Sequence, residues 1–157
     1  SALLFLGLAA CSGNPLLSDR VQLLAGAAAR DLDGVMHLPE TVAATDHATL
    51  LIFWDPNDPS QHAMLRQAGA EARARANDYR FFGVVSGSDR SVDETALRAL
   101  LLELQVDFPQ LRDRDDSLAE RFVAEDNPIV MVWGVHGDLR YRVEALPHVW
   151  DGIVGRD

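Results

Sequence analysis

The 157-residue chain has a single cysteine, Cys11, and no lysine, since all 14 of its basic residues are arginines. A disulfide and a dithiol redox couple each need two thiols, so neither can form within one copy of this chain. The absence of lysine excludes catalysis through a lysine Schiff base. Any thiol chemistry would therefore have to pass through Cys11 alone.

The chain is also short of positive charge, with a formal net charge of -10 at pH 7. Proteins that bind nucleic acid cluster positive charge on one surface, so this composition argues against a nucleic-acid partner. A composition of 48% hydrophobic and 24% charged residues is typical of a globular protein with a core. The length suits one domain.

Residues 1–10 are nearly all apolar and lead through small residues into Cys11. Ten helical residues at about 1.5 Å each are too short to cross a ~30 Å hydrocarbon core, but they suit the apolar region of a secretory signal. Leu8-Ala9-Ala10-Cys11 resembles the bacterial lipobox, which is cut before the cysteine. The resemblance implies that Cys11 is lipid-modified and that the protein is anchored on the periplasmic side of the bacterial envelope.

On this interpretation, residues 1–10 are the remnant of a signal peptide, residues 11–17 are a lipidated tether, and residues 18–157 form the globular domain. Two or more acyl chains are enough for stable attachment to a membrane. A buried amino-terminal helix with a core cysteine remains the alternative.

The globular part alternates apolar, strand-like runs with amphipathic, helix-like stretches. Strands are predicted at Val35–Leu38, Thr49–Trp54, Arg80–Ser86, Phe108–Leu111, Ile129–Trp133 and Leu139–Val143. Helices are predicted at Ser18–Arg30, Pro59–Asn77, Ser91–Leu104 with Ser91 as the cap, Ser117–Val123, and from about residue 147 to 157. The alternation predicts an α/β fold, and the closing hairpin makes its central sheet mixed.

The order of these elements resembles the thioredoxin fold, and more closely its envelope thiol-disulfide reductase and redoxin branch. The resemblance runs from about Gly34 to Val143. It is carried by Phe53-Trp54, Phe82–Ser86, Phe108–Asp113 with Ser117–Phe122, and Asn127-Pro128 followed by a buried strand and Gly137. It implies a thioredoxin-like three-layer α/β/α sandwich, a cis peptide bond before Pro128, and a groove beside that proline that can bind an extended peptide.

The chain departs from this family where the first long helix begins. Members that carry out thiol chemistry have cysteines there, and the resemblance aligns Asp58 with the nucleophilic cysteine and Gln61 with the resolving one. A carboxylate cannot replace a thiolate in disulfide exchange. Asp58-Pro59-Ser60-Gln61 instead predicts a capping box, with Asp58 as the N-cap and Pro59 at the first helical position.

Asp55, Asp58 and His62 are also candidate metal ligands, because carboxylates and imidazoles bind divalent ions. Of these, Asp58 and His62 are four residues apart and would share a helix face, but two ligands are too few for a metal site. Their spacing also matches no established metal motif. A helix cap beside a solvated histidine is therefore the simpler interpretation of the three residues.

The sequence thus favours a redox-inactive, envelope-anchored module that binds a protein or peptide partner, without a cofactor. The predicted groove residues are Trp54, Asp55, Asp58, Gln61, His62, Asn127 and Pro128. Two alternatives stay open, namely a thiol-disulfide oxidoreductase or peroxidase of the redoxin type, and a metal-binding envelope protein that uses Asp55, Asp58 and His62.

Overall fold

A computed structural model of the protein describes residues 28–37, 46–86 and 93–156. The predicted signal remnant, the tether with Cys11 and most of the first predicted helix lie outside these residues. Within the described ranges, every helix is too short or too polar to span a bilayer.

The described part of the chain contains seven strands, three α-helices and one 3-10 turn. In chain order they are β1 (Ala29–Arg30), β2 (Met36–His37), β3 (Ala48–Trp54), the 3-10 turn (Pro59–Gln61), α1 (His62–Ala74), β4 (Tyr79–Ser86), α2 (Glu94–Glu103), β5 (Gln110–Asp113), α3 (Ser117–Arg121), β6 (Ile129–Trp133) and β7 (Leu139–Val143).

Five of these strands form one mixed sheet with the order β5-β4-β3-β6-β7. Strands β3, β4 and β5 are parallel, whereas β6 runs antiparallel to both β3 and β7. Phe53 pairs with Ile129, so the carboxyl end of β3 lies beside the start of β6. The mixed α/β sheet predicted from the sequence is therefore confirmed.

The sheet separates two apolar cores because successive side chains of a strand point to opposite faces. All seven residues of β3 are buried. Leu50, Ile52 and Trp54 pack on the face covered by α1 and α2. Leu51 and Phe53 pack on the opposite face, which α3 covers. Helices on both faces of one sheet give the three-layer arrangement that the resemblance implies.

Two helix predictions are wrong where the structure tests them, because strand pairing and packing override local preference. The end of the predicted helix Ser18–Arg30 lies instead in a strand, Ala29–Arg30, paired with Met36–His37, and residues 18–27 lie outside the described residues. No helix forms within residues 147–156. Trp150 instead packs edge-on against Tyr79 with 5.1 Å between ring centroids, and the Tyr79 hydroxyl donates a hydrogen bond to the Trp150 carbonyl at 2.8 Å.

The limits of the remaining helices differ less from the prediction. The 3-10 turn Pro59–Gln61 precedes helix α1, which ends at Ala74, three residues earlier than expected. Helix α2 is capped by Asp93, whose side chain accepts a hydrogen bond from the Thr95 amide. The predicted cap, Ser91, lies outside the described residues.

A buried amide side chain connects the three parallel strands below the end of β3. The Trp54 indole Nε1 donates to Gln110 Oε1 at 2.9 Å, and Gln110 is only 3% exposed. Gly83 lies between them on β4, and a Cβ atom at this position would collide with the Gln110 amide. Gly83 therefore provides the space that lets Gln110 hold Trp54 in place.

We expect Gly83→Ala to lower the free energy of unfolding by about 1–3 kcal/mol, because an added carbon in a packed core forces neighbours to shift. Chemical denaturation measures the change. Gln110→Ala should destabilise the protein too, since it leaves the buried Trp54 N–H unpaired. The double variant should lose less than the sum of the single losses, and purely additive losses would contradict the proposed collision.

Candidate binding site

The loop between β3 and α1 ends in a hydrogen-bonded helix cap. Asp58 is the N-cap, and its Oδ1 accepts hydrogen bonds from the Ser60 amide at 3.0 Å and the Ser60 hydroxyl at 2.6 Å. The Ser60 side-chain and backbone hydrogen bonds, followed by one from Gln61, lower the pKa of the Asp58 carboxyl. Pro59 takes the first helical position, so the predicted cap is confirmed.

The Gln61 side chain is 3% exposed and forms three hydrogen bonds. Its Oε1 accepts from the Asp55 amide at 2.9 Å. Its Nε2 donates to Asp58 Oδ2 at 3.1 Å and to Asn127 Oδ1 at 2.9 Å. One amide therefore joins the loop after β3, the cap of the helix and the residue that precedes Pro128.

This geometry corrects the predicted capping box in one respect. A capping box directs the third helical side chain to the amide of the cap residue. Here the Asp58 amide donates to the Asp55 carbonyl at 3.1 Å, and Gln61 reaches back to the Asp55 amide instead. Gln61 therefore stabilises the whole loop from Asp55 to Asp58.

The three candidate metal ligands each have a separate partner. His62 Nε2 lies 3.0 Å from the Pro56 carbonyl, to which it can donate a hydrogen bond. Asp55 Oδ1 accepts from the Asn57 amide at 2.8 Å, and Asp58 caps the helix. Among the described residues, no group of three or more His, Cys, Asp or Glu side chains is placed to hold a metal ion. These contacts favour structural roles for Asp55, Asp58 and His62.

A groove of about 330 Å³ lies between the start of α1, Pro128 and the segment that follows β7. The Asn127–Pro128 peptide bond is cis. We call this space the Pro128 groove. It is lined by Ser60, Gln61, Ala63, Met64, Gln67, Pro128, Glu144, Ala145, Leu146 and His148. The lining is a mixture of small, apolar and uncharged polar side chains, with Glu144 as its one carboxylate.

A second space of about 420 Å³ lies at the carboxyl ends of β3, β4 and β5, and we call it the acidic cavity. Its lining residues are Phe53, Trp54, Asp55, Val84, Asp113, Asp116, Ala119, Glu120, Ala124, Glu125 and Asn127. Burial raises the pKa of Asp113, although its carboxylate accepts hydrogen bonds from the amides of Leu118 and Ala119. The Gln61–Asn127 hydrogen bond joins the two spaces, because Gln61 lines the groove and Asn127 lines the cavity.

The structure divides the predicted groove residues between these spaces. Gln61 and Pro128 line the Pro128 groove. Trp54, Asp55 and Asn127 line the acidic cavity, and Trp54 is only 1% exposed. Asp58 and His62 line neither space and act in the loop and the cap.

Sequence reasoning missed two walls of the groove. One is the face of α1 formed by Ala63, Met64 and Gln67, which is uncharged whereas Arg66 and Arg73 lie elsewhere on the helix. This absence of charge beside a helix cap was a usable signal. The other wall follows β7, where residues 144–148 form an irregular segment without periodicity. No sequence pattern indicated this second wall.

A mixed five-stranded sheet covered by helices on both faces, with a long helix that begins beside a cis-proline, defines a thioredoxin-like fold. Solved structures confirm it. Mycobacterium tuberculosis dsbF is 24% identical, with a TM-score of 0.66 over 81% of this chain and 89% of that one. A secreted disulfide oxidoreductase of the same organism, homologous to Escherichia coli DsbE, is 19% identical, with a TM-score of 0.64 over 87% and 90%.

An exposed lipoprotein thioredoxin from Streptococcus pneumoniae is 19% identical, with a TM-score of 0.63 over 77% of this chain and 90% of that one. No protein-family model matches the chain, and a search of the curated proteins finds no significant match. The chain thus has the thioredoxin-like fold that its sequence predicts, and the similarity at these identities establishes the fold alone.

We expect Gln61→Ala to lower the free energy of unfolding by about 1–3 kcal/mol, because it removes a buried amide and its three hydrogen bonds. Gln67→Ala is the matched control, since Gln67 is an exposed glutamine on α1, the helix that follows Gln61, and should change stability by less than about 0.5 kcal/mol. Chemical denaturation of both variants measures the difference. Equal, small losses would show that the Gln61 bonds contribute nothing to stability.

Proposed function

We propose that this protein is a redox-inactive, thioredoxin-like protein of the bacterial envelope that binds an extended segment of a partner protein in the Pro128 groove. The observation that carries the proposal is the Gln61 hydrogen-bond network. At the positions that the resemblance aligns with cysteines, Asp58 and Gln61 bond to each other and to the surrounding loop. The scaffold of the site is present without a thiol.

The chemistry of these two side chains supports the redox-inactive part of the proposal. Disulfide exchange proceeds through attack of a thiolate on sulfur, and neither a carboxylate nor an amide can form the mixed disulfide. The competing function is thiol-disulfide oxidoreduction, the activity ascribed to the similar secreted M. tuberculosis protein. In this chain that function would depend on Cys11, the only thiol.

The shape of the groove supports the binding part. Its volume of about 330 Å³ lies near the lower end of the ~300–1,000 Å³ typical of ligand sites, which suits a few side chains. Met64 and Leu146 offer apolar surface, while Ser60 and Gln67 offer polar groups. A short extended segment, with alternating apolar and polar contacts, fits this lining.

The proposed location follows from the amino terminus. Leu8-Ala9-Ala10-Cys11 resembles a lipobox, which would anchor the protein through a lipid-modified Cys11. Two of the similar structures are described as a secreted protein and an exposed lipoprotein, which supports the same compartment. Attachment through Cys11 would hold the binding domain close to the membrane surface.

We expect the purified protein to catalyse no reduction of insulin by dithiothreitol, because Asp58 and Gln61 carry no sulfur. Turbidity of precipitating insulin chains reports the reaction, with a thioredoxin as the positive control. Cys11→Ser should behave in the same way as the unchanged protein. Turnover that persists in Cys11→Ser would contradict the proposal, and turnover that Cys11→Ser abolishes would favour the oxidoreductase.

Filling the groove should weaken binding of the partner. Ala63 lines the groove and is exposed, so Ala63→Trp should reduce the yield of photo-crosslinking from Gln67 to an envelope partner by at least about tenfold, or about 1.4 kcal/mol. Ala70→Trp is the matched control, because Ala70 is exposed on the same helix but does not line the groove. Equal yields from the two variants would contradict binding in the groove.

A further inference from the structure

We infer that the segment bound in the Pro128 groove is cationic and directs an arginine or lysine side chain toward the acidic cavity. This inference rests on the proposed function and names the chemical class of its partner. It depends on the charges that surround the two spaces, on the carboxylates that have no ion-pair partner among the described residues, and on the hydrogen bond that joins the cavity to the groove.

The charges around the two spaces are all of one sign. Their linings include Asp55, Asp113, Asp116, Glu120, Glu125 and Glu144, whereas no arginine within residues 28–37, 46–86 and 93–156 lines either space. His148 is the only lining side chain that can become positive. A segment with positive charge would therefore meet complementary charge along its whole path, and one with negative charge would be repelled.

Three of these carboxylates are available to a ligand. Asp113 accepts hydrogen bonds from the start of α3, and Asp55 accepts one from within its own loop. Glu120, Glu125 and Glu144 have no ion-pair partner among the described residues. Glu125 and Glu144 are exposed, so a positively charged group of a partner can reach each of them directly from solvent.

The acidic cavity suits the charged end of a long basic side chain. Phe53 and Val84 line it at the ends of two adjacent strands but are only 3% and 1% exposed, so its carboxylates, on β5, α3 and the loops, dominate the accessible lining. Lysine and arginine carry their charge on a long, flexible stem, so they can reach these groups from a chain bound outside the cavity. An aspartate or glutamate side chain is shorter and has the wrong charge for this lining.

The two spaces adjoin each other at the Gln61–Asn127 hydrogen bond of 2.9 Å. Successive side chains of an extended chain point to opposite sides. A segment that crosses this bond can therefore place one side chain against Met64 and Leu146 in the groove and the next toward Glu120 and Glu125 in the cavity.

Three labelled, unstructured peptides of equal length and apolar content test the inference, with arginine, glutamine or glutamate at their polar positions. Fluorescence anisotropy with the unchanged protein measures binding at about 50 mM and about 200 mM salt. We expect the arginine peptide to bind at least about tenfold more tightly than the glutamine peptide, and the glutamate peptide to bind most weakly. Salt should reduce this preference, because charges are screened beyond ~10 Å at 0.1 M ionic strength.

Two pairs of substitutions separate local recognition from overall charge. Glu125→Gln with Glu144→Gln should weaken binding of the arginine peptide about three- to tenfold, as expected when two exposed ion pairs are lost. Glu103→Gln with Asp151→Asn removes the same charge from exposed positions that line neither space and should leave binding unchanged. Equal weakening by both pairs would mean non-specific attraction and would overturn the inference.

The same assay distinguishes failure of this inference from failure of the proposed function. If all three peptides bind equally and Ala63→Trp weakens each of them, the groove binds peptides without preference for charge, and only the inference is overturned. If none of them binds, or if Ala63→Trp and Ala70→Trp bind them equally, peptide binding in the groove is overturned as well.

Discussion

The site depends on the buried amide of Gln61. A buried polar group is costly unless its hydrogen-bonding capacity is met, and here one oxygen and both N–H groups have partners. Those partners lie in three segments, namely the loop at Asp55, the cap at Asp58 and the residue before Pro128. The amide thereby fixes the start of α1 against the start of β6, and the Pro128 groove and the acidic cavity both take their shape from this contact.

The electrostatic setting of the site suits a side chain without sulfur. A helix amino terminus stabilises negative charge, whether that charge is a thiolate or a carboxylate. Asp58 occupies such a position, and the hydrogen bonds that it accepts from Ser60 and Gln61 lower the pKa of its carboxyl. The position thus holds an anion that accepts hydrogen bonds but cannot attack a disulfide.

The sequence predicted the parts of the fold that depend on local patterns. The limits of β6 and β7 match the prediction because a continuous apolar run and an alternating one are bounded by clear turns. The helix cap at Asp58 was predicted because its motif is also local. The hydrogen bond from Gln61 to Asn127 was not predicted, because Asn127 is 66 residues away along the chain. Likewise the strand at Ala29–Arg30 depends on its pairing with Met36–His37, which the alanine-rich pattern does not reveal.

The Gln61 contacts have a consequence for any dithiol introduced at this site. Replacing Gln61 with cysteine would leave the Asp55 amide and the Asn127 side chain without their present partner. A pair of cysteines at positions 58 and 61 would therefore need new partners for both neighbours as well.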